Sequence, residues 1–93
     1  MREIRRTSGF QRDFKRESAG RYSKTLDSDL LGIVELLAVD LPLPQRCHDH
    51  ALVGEWADFR DCHIRPDLVL IYRKTDDNFL DLVRLGSHSE LRL

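Results

Sequence analysis

This chain of 93 residues is poor in the features that mark exported, membrane or metal-scaffold proteins: it has two cysteines, one tryptophan, three prolines and no long apolar run. None of its apolar stretches approaches the roughly 18 residues of a membrane span, which excludes a helical membrane protein. The segment Met1 to Arg6 lacks the apolar core of a signal peptide, so a cytoplasmic location is expected. Cys47 and Cys62 form no CxxC pair. Without an export signal, two free thiols are expected rather than a disulfide. There is no internal repeat, low-complexity tract or linker, and residues 1–93 read as a single domain. A domain of this size buries only about 60–65% of the surface its unfolded chain exposes, so a substrate or partner belongs on its surface or in a shallow groove.

Net charge is also nearly absent, at −1, but the two signs are segregated. Residues 1–24 carry eight Arg or Lys against three acidic groups, and the remainder carries seven against thirteen. The basic third suits an anionic partner, nucleic acid or an acidic polypeptide, with Arg12, Lys15 and Arg16 as its candidate contacts. The acidic remainder argues against a general polyanion binder. An ordinary solvated helix face is the competing reading of the same residues.

The periodicity is clear. Residues 2–7 alternate as a short strand, and Ser8 is placed to cap a helix carrying Phe10 and Phe14 on one face until Gly20. A second helix starts near Thr25 or Asp27, where Leu26, Leu30, Ile33, Val34 and Leu37 recur at helical spacing, and Pro42 and Pro44 forbid its continuation. Gly32 is a mild flaw inside it. From His50 onward the period becomes two. Phe59–Ile64, Leu68–Lys74 and Phe79–Leu85 read as strands joined by the turns 65–67 and 75–78, with a further strand at Leu52–Trp56 and one helical turn at Ser87–Leu91. Gly54 and Gly86 mark bends or bulges. The expected fold is α+β, with two N-terminal helices packed on one face of a small, mostly antiparallel sheet.

The polar residues point to proton transfer. His48, His50 and His63 fall in one short window with several carboxylates, and His88 lies near the end of the chain. Imidazoles both accept and donate protons near neutral pH, and an arginine beside them holds charge developing on phosphate. On a strand over 59–64, Asp61 and His63 emerge on one face, where the carboxylate is expected to raise the pKa of the histidine and orient it. A satisfied surface pair beside a turn is the bland alternative. A zinc site built from His48, His50, His63, His88 and Cys47 or Cys62 is a further reading, although the spacing matches no common closed site.

The segments Asp49–Trp56, Phe59–Asp67 and Leu85–Leu91 resemble the YafQ branch of the RelE-like toxins of bacterial type II toxin–antitoxin systems, and the similarity runs over essentially the whole chain. This resemblance implies a small twisted sheet carrying two helices. It also implies a ribosome-dependent mRNA endonuclease that needs no cofactor and is inhibited by a cognate antitoxin, with operator DNA met only through that antitoxin. The matching site positions are His50, Asp61, His63, Asp67, Arg84 and His88. Arg92 departs from the pattern, because the family commonly carries an aromatic residue there. Arginine can stack on a base or grip phosphate, so a catalytically weakened homologue that keeps its antitoxin grip is the alternative.

The chemistry implied is attack of a ribose 2′-hydroxyl on the adjacent phosphorus. His88 is placed as general acid, His50 or His63 as base, and Arg84 as phosphate clamp, with Asp61 and Asp67 orienting the histidines. A site so dependent on positioning suits completion by the ribosome.

Overall fold

The computed structural model describes all 93 residues. In chain order the elements are β1 (Glu3–Arg6), α1 (Ser8–Ser18), α2 (Leu26–Ala38), β2 (His50–Ala51), β3 (Arg60–Arg65), β4 (Leu68–Lys74), β5 (Phe79–Gly86) and α3 (His88–Leu91). The sheet order is β1-β5-β4-β3-β2. The β1–β5 pair is parallel and the other pairs are antiparallel.

The local causes mostly follow the periodicity. Thr7, one residue before the expected cap, closes the N-terminus of α1: its Oγ1 accepts from the Phe10 amide at 3.0 Å and donates to the Val83 carbonyl at 2.7 Å. In α2, Leu26, Leu30, Ile33, Val34 and Leu37 are buried as their spacing predicts, and Asp27 and Asp29 sit in the first turn where the helix dipole favours them. Both helices cover one face of the sheet, packing on Cys62, Ile64, Leu70, Tyr72, Leu80 and Leu85. A smaller cluster of Val69, Ile71 and Leu91, flanked by Leu52, Trp56, Phe59 and Val83, covers part of the other face. β4 is therefore apolar on both sides, which explains its unbroken run Leu68–Tyr72.

The expected strand at Leu52–Trp56 does not form. Pairing stops after Ala51, Gly54 adopts φ +67, which a strand does not accommodate, and Gly54–Trp56 form a 3₁₀ turn. Two register shifts re-aim side chains, one between His63 and Arg65 and one opposite Ile71 and Tyr72. The second leaves Val83 unpaired, so Leu82 and Leu85 both reach the helix-side core. No helix is long and apolar enough to cross a membrane.

Candidate active site

β2 and β3 pair with His50 opposite Asp61, so these two side chains share the sheet face away from the helices. His50 Nδ1 lies 2.7 Å from the His48 carbonyl oxygen and 3.1 Å from Asp61 Oδ1. With two oxygens facing it, Nδ1 carries the proton of the neutral ring, and Nε2 keeps the free lone pair. Asp61 itself is 1% exposed, and its Oδ1 is close to His50 Nδ1 without a hydrogen bond to it, because the hydrogen bond of Nδ1 goes to the His48 carbonyl. Burial pushes its carboxyl above the usual range, against the pull of His50, His63 and His88.

His63, two residues along β3, stands in a row of imidazoles. Its ring centroid is 5.5 Å from that of His48 and 5.1 Å from that of His88. Asp61 pulls the pKa of His63 up, as its place on the strand predicts, but burial and the His88 charge outweigh the carboxylate and the net shift is downward.

His88 is placed by α3, which is too short to stand alone. A capping box fixes it: Ser87 Oγ accepts from the Glu90 amide at 3.1 Å, and Glu90 Oε1 accepts from the Ser87 amide at 2.9 Å. Arg16 clamps the same corner, donating to the Leu85 carbonyl at 2.8 Å and pairing with Asp13 and Glu90. Gly86 makes room for this clamp, since a Cβ there would stand 2.8 Å from Arg16 Nη2.

Arg84 is not aimed freely at the histidines. Its Nε donates to Asp13 Oδ2 at 2.6 Å and its Nη2 to Oδ1 at 3.3 Å, which leaves Nη1 unpaired. It lines an open groove of about 620 Å³ with Val53, Trp56, Glu90, Leu91 and Arg92. Arg92 follows α3 in the left-handed conformation, φ 58. Asp67 lies apart from the imidazole row, accepting from Tyr22 hydroxyl and from Arg21 Nη1 at 2.7 Å, contacts that hold its carboxyl below the usual range. Arg12 and Lys15 are exposed, whereas Arg16 is occupied by the clamp.

His48, which the sequence offers only as part of the histidine window and of the zinc set, joins the imidazole row. Arg5 and Arg73 carry no sequence signal of their own. Both bond Asp81, at 2.6 and 3.0 Å, and lie over Phe79 and Phe59 on the face that carries His63. Cross-strand register with Asp81 is what brings them together, a signal only pairing reveals. Cys47 and Cys62 are fully buried in the helix-side core, so the mixed His/Cys zinc set does not assemble, and no three His, Cys, Asp or Glu side chains converge as a metal ion needs.

A family model described as a bacterial toxin of type II toxin–antitoxin system, YafQ, matches residues 2–93. The chain belongs to the YafQ toxin family. Among its relatives, a Haemophilus influenzae protein named putative toxin YafQ is 46% identical over 71 residues, covering 73% of this chain and 70% of that one. An Escherichia coli mRNA interferase toxin YafQ is 38% identical over 91 residues, covering 87% and 96%. Among solved structures, a copper-bound mutant toxin from Helicobacter pylori superposes with a TM-score of 0.86 at 40% identity, covering 98% of this chain and 99% of that one. The YafQ fold is also seen in the Escherichia coli DinJ–YafQ complex, which matches with a TM-score of 0.79 at 33% identity, covering 98% of each chain. This YafQ-family chain thus shares with them a five-stranded mixed sheet carrying its helices.

Proposed function

We propose that the protein is a ribosome-dependent endoribonuclease that cuts translated mRNA in the cytoplasm and is silenced by a cognate antitoxin. The observation that carries this reading is the juxtaposition of His50, His63 and His88 over the buried carboxylate of Asp61. His50 Nε2, the free lone pair of a ring whose other nitrogen is engaged, takes the proton of a ribose 2′-hydroxyl. The 2′-oxygen bonds to phosphorus, the bond to the 5′-oxygen breaks, and His88 donates its proton to that oxygen. The products are a 2′,3′-cyclic phosphate and a free 5′-hydroxyl, and no water or metal enters the balance. His63 stays neutral between the two and fills the face behind the phosphate.

Arg84, oriented by Asp13 with Nη1 unpaired, contacts the phosphorane oxygens. Arg92 and Trp56 line the groove for a neighbouring nucleotide, and Arg5 and Arg73 meet phosphates further along the same face. Asp67 acts on the β3–β4 turn through Tyr22 and Arg21 rather than at the reacting atoms. Arg12 and Lys15 meet acidic groups of the antitoxin or ribosomal RNA, and operator DNA is reached only through the antitoxin. On free RNA the reaction is slow, because positioning by the ribosome supplies much of the rate. The second reading, a weakened toxin that mainly binds antitoxin, rests on Arg92 standing where the resemblance to the family leads one to expect an aromatic residue.

Primer extension on a reporter mRNA after brief induction tests the proposal. Cuts within the translated frame are expected for the wild type, and His88→Ala should reduce them by about 10²–10⁴-fold while keeping antitoxin binding. Intact mRNA with the wild type supports the weakened toxin. Undiminished cutting by folded His88→Ala removes His88 from its role.

A further inference from the structure

Asp49 lies between two histidines of the site and faces away from both. Its Oδ1 accepts from the Tyr72 hydroxyl at 2.5 Å, and Arg60 Nε stands 3.3 Å from both the Asp49 carboxylate and the Tyr72 oxygen. Tyr72 is 1% exposed, with its ring in the helix-side core, and it pairs with Arg60 across β3 and β4. The hydroxyl is thus a fixed point of the scaffold that reaches the loop before β2. On the other side of that loop, Cys47 is fully buried, and the His48 amide closes a turn onto the Gln45 carbonyl at 3.1 Å.

His48, between the two anchors, has φ 47 and ψ 45, a left-handed conformation uncommon for non-glycine residues, though histidine is among those that tolerate it. In that conformation its carbonyl oxygen meets His50 Nδ1 at 2.7 Å. A chain of contacts therefore runs from the core to the lone pair: Tyr72 and Arg60 hold Asp49, the pinned loop holds the His48 carbonyl, and that carbonyl engages His50 Nδ1.

We infer that Tyr72, Asp49 and Arg60 are positioning residues that fix His50 as its Nδ1–H tautomer, with Nε2 aimed outward as proton acceptor. This rests on the proposed role of His50 as the base, but the tautomer is measurable without catalysis. A latch that only tied down the β2 loop would change stability and leave the ring tautomer alone.

The test is long-range ¹H–¹⁵N NMR of the histidine rings in the wild type, Tyr72→Phe, Asp49→Ala and Asp49→Asn, paired with single-turnover cleavage on programmed ribosomes as a function of pH. The wild type should show His50 protonated at Nδ1. Tyr72→Phe and Asp49→Ala should mix the two tautomers and lower the cleavage rate by up to about 10²-fold, with ribosome affinity unchanged. Asp49→Asn, whose amide oxygen still accepts from Tyr72, should retain both properties. If Tyr72→Phe fails to fold, Asp49→Ala at a partly exposed position carries the test. An unchanged His50 tautomer in folded Tyr72→Phe or folded Asp49→Ala overturns the inference even if stability falls. A tautomer lost as expected in a protein whose wild type cuts no mRNA upholds the latch and refutes the proposed base.

Discussion

Asp61 is buried beneath three imidazoles with one oxygen unpaired, so its charge is uncompensated whenever those rings are neutral. Its pKa is raised in the folded protein. The stability linked to it is present in full below the unfolded value, about 3.9, and is lost as pH rises through the raised value. Asp61→Asn should therefore melt higher than the wild type at about pH 7.5, with the gap narrowing as pH falls towards about 4. Cleavage should fall in the same variant, since the negative charge facing the three imidazoles is lost. Thermal melts across that range check the first claim, and a variant that melts lower at every pH refutes it. His63 has the opposite sign: its lowered pKa gives stability that is present above about 6.5 and lost as pH falls through the folded value. The pairing of Asp61 with the histidine face was legible from the period-two pattern of β3. The net shift of His63 was not, because it depends on His88, which lies on a different element.

At the scale of elements, the attachment of α1 to β5 turns on one carboxylate. Asp13 is 3% exposed and accepts from Arg84, from Arg16 and from the Leu85 amide at 3.0 Å. Burial pushes its carboxyl up, but the bonds from Arg84 and Leu85 outweigh that and hold it below the usual range. Its contribution is thus present above about pH 3.9 and is lost as pH falls through the lowered value. Asp13→Ala should cost about 2–3 kcal/mol, lower Tm by roughly 10 °C or more, and show a shallower loss of stability in acid. Calorimetry at neutral and acid pH measures both. An unchanged Tm would mean that the Arg84 orientation is set elsewhere. Nothing local announces this contact, since Asp13 and Arg84 are 71 residues apart. The helices themselves were readable, because the spacing of Leu26 to Leu37 and the stop at Pro42 are local signals. β2 was not: two paired residues carry no period, and the positive φ of Gly54 ends the strand before alternation can show.

The whole molecule divides its two faces between two tasks. One is covered by α1 and α2 and holds nearly all the buried apolar side chains. The other carries Arg5, Arg73, Asp61 and the imidazole row, joined by strand register and by the capped turn of α3. Composition hinted at a basic surface in the first 24 residues, yet Arg16 and Arg2 are engaged in internal ion pairs, and the site's positive charge comes from residues spread over the chain. We propose that this face cuts ribosome-bound mRNA by acid–base chemistry of its own side chains. Single-turnover reactions on programmed ribosomes, with end-group analysis of the products and a chelator that spares ribosomal magnesium, test it most directly. The expected products are a 2′,3′-cyclic phosphate on one fragment and a 5′-hydroxyl on the other, formed at a rate that Zn²⁺ or Cu²⁺ removal does not lower and that far exceeds cutting of free RNA. A 5′-phosphate product, or a rate restored only by adding one of those metals back, would contradict it.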